Sequence, residues 1–307
     1  RIYKITVDKN VNIINIVKEY EKDFNVEYAE PNYLAYTSFT PNDPRFNEQW
    51  AHNITQAELG WDIERGNSSV VIAIIDTGVD YNHEDLADNM LGNCTNGCPN
   101  GTGYDFVDIN VTSYEDEGYQ LIPDEDYITP DNDPLDYYGH GTHVVGIAVA
   151  VSNNNLGVSG VCHECKIMPV RSGFGIISPF GPVGSLEVDD VANAIIYATT
   201  NNASIISMSF GGRGSDVPQE LKDAIDYAYK EGVILVAAAG NNFGNIKNYP
   251  AAYNNVIAVS ATDSLDNKAY FSNYGSWVDV AAPGLDILST IPKVGFTSYP
   301  SGYAVFS

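Results

Sequence analysis

Lysine and arginine are scarce, 15 residues of 307 against 40 aspartates and glutamates, which leaves a formal net charge of −25. That balance excludes a surface built to hold nucleic acid or anionic lipid and suits a partner that is a hard cation, calcium first among them. Long apolar runs are also missing, and none approaches the roughly 18 residues of a membrane-spanning helix. No secretory apolar region follows Arg1, so any leader is expected to have been trimmed. Internal repeats and low-complexity tracts are absent as well. No glycine-rich phosphate loop follows the first strand with the required spacing, which disfavours a nucleotide-binding α/β protein.

What is present is enough for a sizeable core, since 44% of the residues are hydrophobic. Two stretches carry the chemistry. The run Val70-Val71-Ile72-Ala73-Ile74-Ile75 reads as a strand buried on both faces, and it ends in Asp76-Thr77-Gly78. A carboxylate at the carboxyl end of a parallel strand sits where open α/β sheets build their sites. Downstream, Tyr138-Gly139-His140-Gly141-Thr142-His143 opens an apolar helix. Glycines on both sides of His140 leave its imidazole open to close approach, which makes it a candidate base that Asp76 would orient.

An Asp-Thr-Gly turn followed by a Gly-His-Gly-Thr-His turn resembles the subtilisin-like serine proteases, whose triad runs in the order Asp, His, Ser. Further stretches add to the resemblance from about residue 41 onward: Ser209-Phe210-Gly211-Gly212, Ala239-Gly240-Asn241, Tyr249-Pro250-Ala251 and Val278-Asp279-Val280-Ala281-Ala282-Pro283-Gly284. The resemblance implies a secreted, calcium-binding serine endopeptidase made as a zymogen. Asp76 would orient, His140 would be the base and Asn241 would polarise the oxyanion. Ser209 to Gly212 would form one wall of the specificity pocket, with Asn248 on its rim. The nucleophile would lie beyond Ser307, in a Gly-Thr-Ser turn that the 307 residues do not include. A pseudoprotease or peptide-binding module that keeps the groove without the chemistry is the alternative.

The resemblance also implies calcium held by Asp43, Asp85 and the loop at 152–158, with Asn154 giving its side chain and Ser152, Leu156 and Val158 their carbonyls. Its partners would be protein or peptide substrates and its own propeptide, with no nucleic acid and no membrane span, and it would act as a monomer. Six Asn-x-Ser/Thr triplets, at Asn53, Asn67, Asn93, Asn100, Asn110 and Asn202, add a little weight to secretion.

The expected fold is α/β, a mostly parallel sheet with helices on both faces, from strands near 166–171, 203–208, 233–239, 256–260 and 278–280 alternating with helices at 188–199 and 220–230. A small α+β segment, residues 1–40, precedes the peptidase domain at 41–307. Its strand at 2–7, helix at 11–24 and extended stretch at 26–36 resemble the end of an inhibitory propeptide, with a maturation site between Tyr36 and Pro41. Residues 112–136, dense in Asp, Glu and Pro, read as an exposed insertion. Cys94, Cys98, Cys162 and Cys165 would form either a zinc tetrad or two disulfides, and the secretory context favours disulfides.

Overall fold

The apolar run before Asp76 becomes the strand Val71–Asp76 of the computed structural model, which describes residues 2–33, 39–213, 218–293 and 299–307. The chain divides into two compact units, Arg1–Ser38 and Phe39–Ser307.

In the larger unit Val71–Asp76 lies inside a seven-stranded sheet. From one edge to the other the strands are Val280–Pro283, Ile257–Thr262, Ile234–Ala238, Ile205–Met208, Val71–Asp76, Lys166–Arg171 and Tyr104–Asp105. Every pairing in it is parallel. Both neighbours of Val71–Asp76 come from later in the chain, so the strand order reverses around it. Ligands bind at the carboxyl ends of strands at such a reversal.

The strand is apolar throughout because both of its faces are covered. Val71, Ala73 and Ile75 pack into one cluster with the helices Val188–Thr200 and Gln219–Lys230. Ile74 points the other way, into a cluster with Val145 and Val149 of the helix His140–Val149. Full burial of a side chain the size of Ile74 or Ile75 stabilises by about 1.5–3 kcal/mol. Both pairs of cysteines close locally, Cys94 with Cys98 and Cys162 with Cys165, so the zinc tetrad is excluded.

The insertion at 112–136 is largely exposed, as expected, but it is more than a loop. Val111–Asp116 is helical and Gln120–Leu121 pairs antiparallel with Ile176–Ile177. Tyr127 is buried with Val107, Ile109, Phe174 and Ile176 in a third apolar cluster. One of the insertion's carboxylates, Glu125, is paired with Arg171, which is fully buried. Arg171 Nη1 pairs with Asp105, while Nη2 donates to Glu125 Oε1 and to the Asp126 carbonyl, each at 2.8 Å. Burial pushes the Asp105 carboxyl up to about 7, with Arg171 pulling the other way.

In the smaller unit the expected helix is present as Ile13–Tyr20, capped by Asn12, whose Oδ1 accepts the Asn15 N–H at 3.3 Å. The alternation at 2–7 does not become a strand, because a strand needs a paired neighbour and residues 2–7 have none among the described residues. The extended stretch at 26–36 and the maturation site near Tyr36 fall partly on residues 34–38, outside the described residues.

Candidate active site

Asp76 and His140 meet at the carboxyl end of the central strand. Asp76 is 3% exposed, and its Oδ1 lies 2.7 Å from His140 Nδ1. The same oxygen accepts the Thr77 N–H at 2.7 Å, and Asp76 Oδ2 is buried without a hydrogen-bond partner among the described residues. An ionised carboxylate only accepts, so Nδ1 carries the ring proton and Nε2 is left to take one. The His140 side chain is 43% exposed and lines the cleft. The Asp76 charge, opposed by burial and helped by the hydrogen bond and by Asp136, pushes the imidazole up to about 9.

The local backbone explains the glycines. Gly139 caps the helix with φ 97°, a left-handed conformation that side chains rarely adopt. A Cβ on Gly141 would stand 2.1 Å from the Gly78 carbonyl and 3.1 Å from Asp76 Cβ. Without a side chain there, the two turns close and the carboxylate reaches the ring.

The cleft has a volume of about 500 Å³. Ser209, Phe210, Gly211 and Gly212 form one wall, and Gly184, Ser185 and Leu186 form the facing one. The latter end the hairpin strand Gly181–Leu186, which pairs on one side only, with Gly173–Ser178. Asn248 is buried rather than on the rim. Its amide lies against Gly211, where a Cβ would come within 2.2 Å of Nδ2, so Asn248 braces the wall from behind while Tyr249 lines the cleft.

Asn241 is exposed on the turn after Ile234–Ala238, and among the described residues its side-chain amide makes no hydrogen bond. Asn273, fully buried, fixes that turn. Its Oδ1 accepts from Asn242 N at 2.9 Å, its Nδ2 donates to the Ala239 carbonyl at 2.8 Å, and its own N–H donates to the Gly240 carbonyl at 2.8 Å. Sequence reasoning missed Asn273, since an asparagine after Phe-Ser carries no signal of a partner some thirty positions away.

The segments at 43, 85 and 152–158 also converge. Asp43 accepts from the N–H groups of Asn153 and Asn154 at 2.8 and 3.0 Å. Asp85 accepts from Val158 N at 2.9 Å, Asn154 Nδ2 at 2.7 Å and the Tyr303 hydroxyl at 3.1 Å. Asp43 is 4% exposed and Asp85 fully buried, and neither pairs with a lysine or arginine among the described residues. Burial pushes the Asp43 carboxyl up, against its two amide donors, and the Asp85 charge adds to the rise. Among the described residues no hydrogen bond reaches the carbonyls of Ser152, Leu156 or Val158. The Asn154 Oδ1 accepts one, from Leu156 N at 2.7 Å.

Comparison with known proteins decides the family. The model of the subtilase family, peptidase S8, matches residues 67–306. The chain belongs to the subtilase family. A thermophilic serine proteinase of Bacillus sp. strain AK1 is 40% identical over 305 residues, 99% of this chain and 66% of that protein. Thermitase of Thermoactinomyces vulgaris is 41% identical over 85% of this chain and 79% of its own length. An extracellular protease of Xanthomonas campestris is 35% identical over 95% of this chain and 50% of that protein. Against the first and third of these the subtilase chain thus spans between half and two thirds of the relative's length. A protease structure from Pseudoalteromonas arctica superposes with a TM-score of 0.65 at 33% identity, over 82% of this chain and 77% of that one. Among the described residues no helix is long and apolar enough to cross a membrane.

Proposed function

We propose that this subtilase is a secreted serine endopeptidase, made as a precursor, that cleaves peptide bonds by an Asp-His-Ser triad. The observation that carries the reading is the 2.7 Å Asp76–His140 contact with Nε2 turned to a cleft between two strand ends. A peptide strand laid between Gly184–Leu186 and Ser209–Gly212 would pair by its backbone, which fixes orientation and leaves side chains to the pocket. His140 Nε2 takes the proton of the nucleophile as it attacks, then returns it to the leaving amine, while Asp76 stabilises the imidazolium formed in between. The free amide of Asn241 is the oxyanion donor, and donors of this kind are worth roughly 10²–10³ in turnover.

The nucleophile is assigned by the family resemblance to a Gly-Thr-Ser turn after Ser307. In support, the strand Tyr303–Phe306 runs beside the His140 helix, with Phe306 stacked 4.6 Å from the His143 ring. The segment 1–40 is read as propeptide.

Calcium fits the second convergence. Two buried carboxylates share one loop without a cation, and the carbonyls of Ser152, Leu156 and Val158 with the Asn154 side chain would bring the oxygen count toward the six to eight or so that calcium takes. No three His, Cys, Asp or Glu side chains converge among the described residues, so such a site leans on carbonyl and amide oxygens. When bound, the ion would neutralise Asp43 and Asp85 and pin the loop.

The full-length protein should hydrolyse an unstructured protein substrate and be inactivated stoichiometrically by a serine-directed sulfonyl fluoride. Absence of both hydrolysis and labelling would sink the reading.

A further inference from the structure

Asp136 is a buried carboxylate, next to the candidate pair, that this chemistry leaves unused. It is 3% exposed and lies in the loop between the two turns that carry Asp76 and His140. Its Oδ1 accepts from Thr77 Oγ1 at 3.0 Å, Tyr138 N at 3.0 Å and Gly139 N at 2.7 Å. Its Oδ2 accepts from Thr142 N at 2.9 Å and Thr142 Oγ1 at 2.6 Å.

Counting hydrogens settles the state of this group. Thr77 Oγ1 accepts the Gly141 N–H at 3.0 Å, and Thr142 Oγ1 accepts the Asp80 N–H at 2.9 Å. Each hydroxyl has one hydrogen, and Asp136 is the one acceptor within reach of it among the described residues. Three of the five contacts are backbone N–H groups that can only donate, and a proton on Asp136 would displace a hydroxyl hydrogen that has no other acceptor. Burial raises the carboxyl above its ordinary value, with the Asp76 charge adding to the rise, although the donors from Thr142 and Gly139 pull it down. The donor count places it as the anion.

We propose that Asp136 is the positioning residue of the Asp76–His140 pair, a single carboxylate that ties the turn after Asp76 to both sides of His140 and sets a second negative charge behind the imidazole. Through Thr77 it holds the residue next to Asp76, and through Gly139 and Thr142 it grips the helix start on either side of His140. The Thr77 hydroxyl passes the same tie on to Gly141, where the two turns have no room for a side chain. The groups bearing on the His140 charge are Asp76 on the strand, Asp136 on the loop, Tyr138 on the preceding turn, His143 further along the helix and Glu187 across the cleft.

The kinetic consequence rests on the peptidase reading; the effect on the imidazole does not. In the full-length protein Asp136→Asn keeps the size of the side chain, removes the charge and turns one acceptor into a donor facing Thr142. The expected result is a kcat lower by roughly 10- to 100-fold with KM little changed, as for a misplaced catalytic group. The acid limb of kcat/KM should move to lower pH, because His140 loses a charge that favours imidazolium. A folded variant whose acid limb stays in place overturns the proposal, whatever its melting temperature. If Asp136→Asn does not fold, Thr77→Val decides. It removes the hydroxyl tie and keeps the charge, so a reduced kcat with an unmoved acid limb supports the proposal and a wild-type kcat overturns it. Should the wild-type protein hydrolyse nothing, the peptidase reading fails separately. The His140 ring N–H resonance, titrated in wild type and Asp136→Asn, then decides the point: a lower pKa in the variant supports the proposal and an equal one overturns it.

Discussion

Two buried charge clusters end neighbouring strands, because Asp76 and Arg171 are register partners in the sheet. Around Arg171 the charges are shut away from the cleft, with Asp105, Glu125 and the Asp126 carbonyl taking up both terminal nitrogens and only Nε left without a hydrogen bond among the described residues. Around Asp76 they are not. One oxygen of Asp76 has no hydrogen-bond partner among the described residues, and the imidazole it holds is 43% exposed to the cleft. The first cluster is a staple: Glu125 Oε1 accepts the Gly175 N–H at 3.0 Å and the Tyr127 hydroxyl meets the Gly175 carbonyl at 2.6 Å, fastening the insertion to the hairpin beside the cleft. The second is left incomplete, as a site must be if a substrate is to complete it. Similar residues serve stability in one place and chemistry in the other, and the difference lies in what the cleft can reach: the imidazole is exposed, whereas the guanidinium and its carboxylates are not.

The sharpest break in this comparison comes at Asp76. Asp76→Asn presents an N–H to Nδ1, which forces the proton onto Nε2 and removes the base. Turnover should fall by about 10⁴ with the melt little changed. Steady-state kinetics beside a thermal melt would check it, and near-wild-type turnover would remove Asp76 from the mechanism.

Arg171→Met should do the reverse. Removing one partner from a buried ion cluster leaves uncompensated charge and costs about 3–5 kcal/mol. Urea unfolding would read that loss, while the His140 titration should stay where it is. If the loss were negligible, the insertion would be held by its apolar contacts with Phe174 and Ile176 alone. A smaller effect is expected from chelation. An ion that binds only the folded loop stabilises by about 2.7 kcal/mol at a hundred times its Kd. The melting temperature should therefore fall on adding chelator, and Asp85→Asn should melt low with or without it. Melting that ignores chelator argues against Asp43, Asp85 and Asn154 as ligands.

Much of this was legible from residue order. The strand Val71–Asp76 could be read because burial on both faces leaves an unbroken apolar run, and the Gly139-His140-Gly141 turn because close approach demands glycine. The exposure of the insertion was legible and its anchor was not, because Glu125 is held by Arg171, 46 positions further on. A long-range ion pair has no periodicity, and a segment full of carboxylates looks solvated until its cation is found. Asp136 was passed over for a related reason: its partners are hydroxyls and backbone N–H groups, which every sequence supplies everywhere. Asn248 was placed on the rim by analogy, whereas its burial follows from the antiparallel pairing of Asn248–Tyr249 with Gly212–Arg213.

The finest test of the comparison is pH, where the open cluster should show opposite slopes in stability and turnover. His140 rises from an ordinary 6.5 to about 9 in the fold. A base with a raised pKa lends stability fully below its unfolded value, here 6.5, and loses it as pH climbs through the folded one. Catalysis needs the neutral ring, so kcat/KM should climb over the same range. Between pH 7 and 9 the melting temperature should drift down while kcat/KM goes up. Asp105 and Asp190, pushed up to about 7 by burial, share the sign of the stability trend, but their contribution is mostly spent at the start of that range. His143 and His163, lowered to about 4 by burial, cost stability as pH falls below 6.5, outside the range. His140→Gln carries all four of these groups and lacks the one in question. Its melting temperature should therefore be flatter from pH 7 to 9 than that of the wild type, a difference that is read without any hydrolysis. Equal slopes in the two proteins would mean that the Asp76–His140 pair contributes nothing to folding, and that the open cluster is held together wholly by the hydrogen bonds behind it.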